Sequence, residues 1–330
     1  MDRPSVSSGR CPPRSYNPVL TLRETEFAVQ LLKCDFMKLL SQKLNLIPVV
    51  APRFVARHSG LQDFLDGVMQ PVSFTAQALP DRPIQVVHSL AKWKRKALET
   101  YDISAHEGVI TDMVAIRKDE DLDPTHSLLV DQWDWEQKID TEDRNLDYLK
   151  STVKKVYDAL VEVEDSLCRR FPKLSPVLPR SITFVHSQEL ADRWPDLSPP
   201  LREQKAVEEY GAIFVRGIGA PLSDGAPHGT RSWDYDDYTT TASDGRQGLN
   251  GDIVVLDPTS GKALELSSMG IRVDADAMLR QAKAAGISDD ALQSPFHQEL
   301  LGGSLPPCIG GGIGQERMIE EYRAAGCTLL

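Results

Sequence analysis

The chain has 330 residues, of which 41% are hydrophobic and 26% are charged, a composition typical of a globular protein with a sizeable core. Its formal net charge of −11 argues against a general affinity for nucleic acid or anionic membranes, because both repel an acidic surface. No apolar run in the sequence is long enough to cross a bilayer, and the length allows one large α/β or α+β domain.

The cysteines and the first residues bear on the cellular compartment. The five cysteines are dispersed and form no CxxC pair, which indicates reduced thiols in a cytosol-like compartment. Residues 1–18 combine arginines, serines and four prolines. We interpret them as a disordered N-terminal tail, with an organelle-targeting leader as the alternative.

The first predicted elements are a helix over residues 21–45 and a strand over residues 46–54. Apolar side chains recur at helical spacing in the first segment, and Thr21 with Glu24 has the pattern of a capping box. The second segment, LIPVVAPRF, contains two prolines. Because proline cannot donate to a sheet ladder, we predict an edge strand or a place where another chain docks.

A short strand at residues 84–87 is predicted to run into a helix at residues 90–99, with Ser89 as the N-cap. The first two turns of this helix are basic, although a helix N-terminus is already positive. Two interpretations stay open: a nearby anion, or a solvated basic face. The basic residues are Lys92, Lys94, Arg95 and Lys96.

Residues 115–136 are predicted to form two strands joined by a charged turn around residues 119–124. Side chains alternate along a strand, so Trp133 and Trp135 share one face, which we expect to pack on the protein body. Gln132, Asp134 and Glu136 then form a polar row on the opposite face, with Arg117 available on the partner strand. The alternative is a solvated edge strand.

The second half alternates helices, strands and one long loop. A helix over residues 146–167, strands at 182–185 and 212–215, a loop over 221–251 and a helix near 275–285 are predicted. Residues 252–256 and 263–266 read as a hairpin. Asp252 and Glu265 would face each other across it, and such carboxylates repel unless a divalent cation such as Mg²⁺ bridges them. Structural ion pairs are the alternative.

Some familiar chemistries are missing from the sequence. It has no Walker loop, no GxGxxG between a strand and a helix, and no nucleophile elbow. The histidines lack ligand spacing and are interpreted as structural or surface residues. The glycines of GGGIGQER, residues 310–317, allow close backbone approach to a flat or phosphorylated group, and Arg117 and Arg317 are suited to clamping phosphates.

Eight ordered strings together resemble aspartate–ammonia ligase, the ammonia-using asparagine synthetase, over residues 27–317. They are VVHSLAKWKR, VDQWDWE, FVHSQEL, LSDG, DYDD, LNGDI, ELSSMGIRVDAD and GGGIGQ. The resemblance implies an α+β fold, an antiparallel β-sheet flanked by helices, like the catalytic core of class II aminoacyl-tRNA synthetases. It also implies a homodimer whose dimer-forming motif is the strand that contains Pro52; the cytoplasmic location is expected from the cysteines.

The resemblance implies a two-step reaction. The β-carboxylate of aspartate attacks the α-phosphate of ATP to give β-aspartyl-adenylate and pyrophosphate, and ammonia then displaces AMP. The implied catalytic residues are Lys94, Arg117, Asp134 and Arg317. The implied aspartate and ammonia residues are Asp63, Ser89, Gln132 and Ser268. The implied nucleotide residues are Ser127, Arg231 and Asp236, and the implied Mg²⁺ ligands are Asp252 and Glu265.

Residues 19–330 are expected to form a single catalytic domain with a shortened C-terminus. Where the family continues with an apolar helix, Arg317 is followed by MIEEYRAAGCTLL. This polar ending motivates an alternative: a catalytically impaired paralogue that binds aspartate or AMP as a regulator or partner subunit. Aminoacylation of tRNA is a third hypothesis, which the acidic charge and the missing anticodon-binding domain disfavour.

Overall fold

The computed structural model describes residues 19–65, 69–120, 127–258 and 260–324, with side chains described up to residue 319. The predicted tail, residues 1–18, and most of the predicted charged turn at residues 119–124 lie outside the described residues. Within the described part, no helix combines the length and apolar character needed to cross a membrane.

The described residues form eleven strands and eight α-helices. The strands are β1 Leu46–Pro48, β2 Phe54–Ala56, β3 Ser73–Ala76, β4 Leu79–Val86, β5 Gly108–Ile116, β6 Leu129–Lys138, β7 Thr183–His186, β8 Ala212–Arg216, β9 Asn250–Leu256, β10 Ala263–Ile271 and β11 Cys308–Gly314. The helices are α1 Leu22–Leu44, α2 Ala91–Thr100, α3 Leu146–Arg170, α4 Ser187–Arg193, α5 Pro199–Tyr210, α6 Ala275–Ala284, α7 Pro295–Leu301 and α8 Gln315–Ala324.

Eight strands form the main sheet, in the order β1-β5-β6-β11-β10-β9-β8-β7. The prediction of an antiparallel sheet flanked by helices holds only for its middle. The outer pairs, β1 with β5 and β7 with β8, are parallel. Parallel neighbours need a crossover connection, and here α2 and a small sheet, β2-β4-β3, connect one pair while α4 and α5 connect the other.

Helices α1 and α3 pack together on one face of the main sheet, as their apolar spacing predicts. The predicted capping box is present, since the backbone N–H of Thr21 donates to the Glu24 carboxylate at 2.7 Å. The predicted burial of the tryptophan face is also confirmed. Trp133 and Trp135 are 1% and 0% exposed, and the ring of Phe36 in α1 lies 4.6 Å from that of Trp133.

Two local predictions need correction. Residues 46–54 form two strands in different sheets, because Pro48 ends β1 and the chain then leaves the main sheet before β2 begins. The prediction that this segment lies at an edge is confirmed for β1. The hairpin strand β6 is an interior strand between β5 and β11, so the solvated edge strand is wrong.

Candidate functional site

A cavity of about 340 Å³ opens over the centre of the main sheet, where β6, β11 and β10 lie side by side. Most of the residues selected from the sequence line it. They are Ser89, Lys94, Arg117, Ser127, Gln132, Asp134, Arg231, Asp236, Glu265, Ser268 and Arg317. Asp63 and Asp252 lie behind the wall, each in contact with a lining residue.

The floor of the cavity consists of a polar strand beside a strand of glycines. Gln132 and Asp134 project from β6, and Asp134 is paired in register with Gly312 of β11. A Cβ atom on Gly312 would lie 2.4 Å from Oε1 of Gln132, so a larger residue there would displace the end of that side chain. The glycine run lies in strand β11, where it leaves space for the polar side chains of β6.

Lys94 of α2 connects the two strands that form the cavity floor. Its Nζ donates to Oδ1 of Asp134 at 2.5 Å and to the carbonyls of Trp135 and Gly311 at 3.0 and 3.2 Å. Burial raises the pKa of Asp134, and Lys94 opposes part of that rise. The second oxygen, Oδ2, is buried and has no hydrogen-bond partner among the described residues. A buried acceptor in this state is suited to a donor on a ligand.

Two more basic residues of α2 are also buried against protein partners, whereas Lys96 is partly exposed and pairs with Glu299. Lys92 lies 2.7 Å from the carboxylate of Asp234, and Arg95 donates to the Val273 carbonyl at 2.7 Å. Burial alone would lower the pKa of Lys92, but Asp234 reverses the effect and raises it. The solvated basic face is therefore wrong for Lys92, Lys94 and Arg95. The anions beside this helix are the protein's own carboxylates, Asp234 and Asp134.

Asp63, and not Ser89, caps α2. Its Oδ2 accepts from the backbone N–H of Ala91 at 2.8 Å and from the Ser89 hydroxyl at 2.6 Å. Asp63 is fully buried, and burial raises the pKa of its carboxyl group. The structure therefore places it where it positions Ser89 and the start of α2, one layer behind the cavity surface.

Arg272 is the main residue that the sequence analysis missed. Its guanidinium donates to both carboxylate oxygens of Glu136 at 2.8 Å and to Asp236 at 2.5 Å. Burial alone would raise the pKa of Glu136, but Arg272 outweighs burial and lowers it. The polar row of β6 thus divides, with Gln132 and Asp134 on the floor and Glu136 anchored to an arginine. The only sequence signal for Arg272 was its place in the string ELSSMGIRVDAD.

The two predicted phosphate clamps stand on different sides of the cavity. Arg117 follows β5, and its Nη1 lies 3.8 Å from the carboxylate of Glu120. Arg317 lies in the first turn of α8, where its Nη1 donates to the Glu265 carbonyl at 3.0 Å. The next residue, Met318, is completely buried and holds this turn against the core.

Asp252 and Glu265 lie on neighbouring strands, but the direct pairing predicted from the sequence is wrong, because Glu265 pairs with Val254 and Asp252 with Ser268. Burial raises the pKa of Asp252 to about 7; Arg231, which is hydrogen-bonded to it, opposes the rise and the charge of Glu265 adds to it. Two repelling carboxylates suit a hard divalent cation. Arg231 and Arg317 already neutralise part of the negative charge of these two carboxylates. The two acids therefore fit a Mg²⁺ ion that enters the site already bound to phosphate oxygens of a ligand.

Comparison with known proteins connects this geometry to a family. A family model described as aspartate-ammonia ligase matches residues 23–322. An aspartate–ammonia ligase of Clostridium perfringens is 51% identical, over 93% of this chain and 88% of that protein. Another, from Bacteroides fragilis, is 46% identical over 94% of this chain and 90% of that protein.

The solved structures agree on the fold. An asparaginyl-tRNA synthetase of Pyrococcus horikoshii, complexed with asparaginyl-adenylate, superposes with a TM-score of 0.66 over 93% of this chain and 68% of that one. At 15% identity this likeness shows only a shared class II synthetase-like fold. The family model and the two ligases go further, and the chain belongs to the aspartate–ammonia ligase family, whose reaction joins aspartate and ammonia to make asparagine.

Proposed function

We propose that the cavity makes L-asparagine through a β-aspartyl-adenylate, with ATP as the second substrate and AMP and pyrophosphate as products. The observation that carries the proposal is Asp134, a buried carboxylate on the cavity floor with one oxygen held by Lys94 and the other unpaired within the described structure. Arg117 and Arg317 flank the same cavity. One site thus offers cationic groups for a nucleotide and a base for an amine.

In the first step, an oxygen of the substrate β-carboxylate forms a bond to the α-phosphorus of ATP, and the bond to pyrophosphate breaks. Both reactants are anions, so positioning and charge neutralisation supply most of the rate increase. Arg117 is proposed to hold the substrate carboxylate and the α-phosphate, and Arg317 to lie against the adenine and phosphates. Ser127, Arg231 and Asp236 complete the proposed nucleotide side of the cavity.

In the second step, ammonia forms a bond to the β-carbonyl carbon and AMP leaves. Ammonium is not a nucleophile, so a base has to remove one proton first. Asp134 is proposed as that base, because burial raises its pKa and makes its carboxylate a better proton acceptor. Gln132, Ser89 and Ser268 are proposed to bind the substrate amino and carboxylate groups, with Asp63 acting through Ser89.

Lys94 is proposed to orient Asp134. All three of its ammonium protons are already donated within the protein, one to Asp134 and two to backbone carbonyls. Direct contact with the aspartate substrate would require one of these hydrogen bonds to exchange. The ion pair instead fixes which carboxylate oxygen of Asp134 faces the cavity.

Mg²⁺ is proposed as the accompanying metal, with Asp252 and Glu265 as the protein ligands. When bound, it would neutralise phosphate charge and favour the departure of pyrophosphate. Because burial raises the pKa of Asp252 to about 7, that ligand binds a cation only after losing its proton.

Assembly and location are also proposals. A homodimer through the segment around Pro52 is supported by its place after edge strand β1 and by the exposure of Val50 and Phe54, 92% and 53%. Residues 19–330 are proposed to act as one catalytic domain. A cytoplasmic location is supported by the dispersed cysteines, of which Cys34, Cys168 and Cys308 are free thiols in the described chain.

The test is synthesis with aspartate labelled with ¹⁸O in its β-carboxylate, together with ATP, Mg²⁺ and ammonium. The adenylate route transfers one labelled oxygen to AMP, in amounts equal to the asparagine formed. Without ammonia, aspartate should also support exchange of labelled pyrophosphate into ATP. Unlabelled AMP, or release of ADP in its place, would reject the route.

The regulatory paralogue is not favoured, because the chain is about half identical to named aspartate–ammonia ligases over most of its length. The same assay separates the two. Calorimetric binding of aspartate or AMP with no asparagine formed would return support to the paralogue.

A further inference from the structure

Three side chains that commonly bind metals meet at the end of the sheet opposite the catalytic cavity. His106, Asp140 and Asp143 each offer one ligand atom, and these atoms all lie within 4.8 Å of one another. His106 precedes β5 and Asp140 follows β6, whereas Arg117 stands at the other end of β5. The 9 residues of β5, at ~3.3 Å each, separate the cluster from the cavity rim by roughly 25–30 Å.

The backbone holds these side chains in place. The N–H of His106 donates to the Lys138 carbonyl at 2.8 Å, which extends the pairing of β5 with β6. Asp140 and Asp143 form a capping box around a short 3₁₀ turn, with the Asp140 N–H donating to Oδ2 of Asp143 at 3.1 Å. The cluster is exposed, but its geometry is set by hydrogen-bonded backbone on both sides.

A chain of hydrogen bonds orients the histidine ring. Nε2 of Gln137 donates to the carbonyls of Leu44 and His106, at 2.6 and 3.3 Å, so its Oε1 faces the Tyr148 hydroxyl at 3.1 Å. That amide oxygen can only accept, and the hydroxyl proton therefore goes to it. The Tyr148 oxygen is left as an acceptor for Nδ1–H of His106, 3.3 Å away.

With Nδ1 facing the Tyr148 hydroxyl, the imidazole ring directs its Nε2 at two carboxylates. Nε2 lies 3.3 Å from Oδ2 of Asp140 and 3.7 Å from Oδ2 of Asp143. When the imidazole is neutral, these three electron-pair donors repel one another unless a cation lies between them.

We propose that His106, Asp140 and Asp143 bind one divalent transition-metal cation, such as Zn²⁺ or Co²⁺, with water completing its coordination. Metal–ligand bonds of about 2.0–2.2 Å in tetrahedral geometry place ligand atoms about 3.3–3.6 Å apart, close to the distances from Nε2. One imidazole and two carboxylates favour these ions over Mg²⁺. Tyr148 is the outer partner that sets the histidine tautomer. The ligands are 34 and 3 residues apart, so local spacing did not reveal them.

The test is titration of the full-length protein with Co²⁺ at about pH 7.5, where an ordinary histidine is neutral, in excess Mg²⁺ to fill hard oxygen sites. Visible absorption and calorimetry measure binding. The variants are His106→Gln, Asp140→Asn, Asp143→Asn and Tyr148→Phe; asparagine replaces aspartate because it keeps the caps and removes the charge. Asp147→Asn is the matched control, an exposed acid in the first turn of α3 and outside the cluster.

The native protein and the Asp147→Asn control are expected to bind one Co²⁺ with a d–d spectrum. His106→Gln should abolish that spectrum, the two asparagine variants should weaken binding, and Tyr148→Phe should weaken it about 10–100-fold. Unchanged asparagine synthesis would show that the variants fold. No Co²⁺ binding by the native protein, or binding that all four variants retain, would overturn the proposal. An imidazolium paired with the two carboxylates would explain the first of these results.

Discussion

The ammonium of Lys94 lies 2.5 Å from one carboxylate oxygen of Asp134, and the two side chains are 1% and 4% exposed. A second carboxylate, Glu136, lies 3.6 Å from the same ammonium. A buried ion pair contributes little net stability, but removing one partner leaves a charge with no compensation. The pair therefore gives both a stability prediction and a catalytic one.

Lys94→Met is expected to destabilise the protein by about 3–5 kcal/mol, because Asp134 stays buried without its countercharge. Urea unfolding measures the change in the free energy of unfolding. The double variant Lys94→Met with Asp134→Leu removes both charges and should recover most of the loss. A single variant as stable as the native protein would contradict burial of this pair.

Asp134→Asn is expected to lower kcat/KM for ammonia by about 10²–10⁴-fold, because asparagine cannot accept the proton of ammonium. Aspartate-dependent pyrophosphate exchange, which precedes the ammonia step, should fall much less. Asp158→Asn, an exposed acid on α3, is the control and should have native activity. Equal losses in both assays would assign Asp134 to binding of aspartate instead.

The glycines of β11 predict two different consequences of one added methyl group. A Cβ on Gly310 would lie 2.1 Å from Oε2 of Glu136, inside the ion pair with Arg272, so Gly310→Ala should lower stability. A Cβ on Gly312 would displace Gln132 on the cavity floor, so Gly312→Ala should mainly raise KM for aspartate. Thermal unfolding and steady-state kinetics separate the two. If Gly310→Ala and Gly312→Ala changed the stability and the KM for aspartate to the same extent, these separate roles of the two glycines would be contradicted.

Asp63 distinguishes a capping role from recognition of substrate charge. Asp63→Ala removes the acceptor for Ala91 and Ser89 and should cost about 1–3 kcal/mol of unfolding free energy, together with activity. Asp63→Asn keeps an acceptor oxygen and should preserve most of kcat/KM for aspartate. A thousandfold loss in the asparagine variant alone would show that the negative charge contacts the substrate amino group.

Asp252 predicts a pH dependence of stability. Burial raises its pKa from 3.8 to about 7, so between these values the folded state binds more protons than the unfolded state. The free energy of unfolding therefore falls as pH rises through this window, by up to about 1.4 kcal/mol per unit, and the effect ends above pH 7. Asp252→Asn should remove this slope in urea unfolding from pH 4 to 8. Parallel curves for the variant and native protein would contradict the raised pKa.

Patterns that repeat along the chain were predictable from sequence. The apolar spacing of α3, the capping box of α1 and the alternation around Trp133 depend on neighbours a few residues apart, and each is confirmed. The grouping of the site residues was predictable only through the family resemblance, because no local pattern connects Lys94 with Arg317.

Features that depend on distant partners were missed. Ser89 has the residue type of a helix cap, yet Asp63, 26 residues earlier, takes that position. The sequence left a nearby anion and a solvated face both open for the basic helix, because Asp234 and Asp134 are remote in sequence from Lys92 and Lys94. Arg272 carried no pattern of its own, since its importance comes from Glu136 on β6 and Asp236 in a long loop.

The absence of side chains from most of β11 has a consequence for how this site can diversify. Because Gly310, Gly311 and Gly312 present only backbone between β6 and β10, the middle of the active site has no side chain to exchange. A new preference for the amino acid or the nucleotide has to arise on the two flanking strands, through residues such as Gln132 and Ser268. Natural variation in selectivity within this architecture is therefore expected there, around a constant central strand.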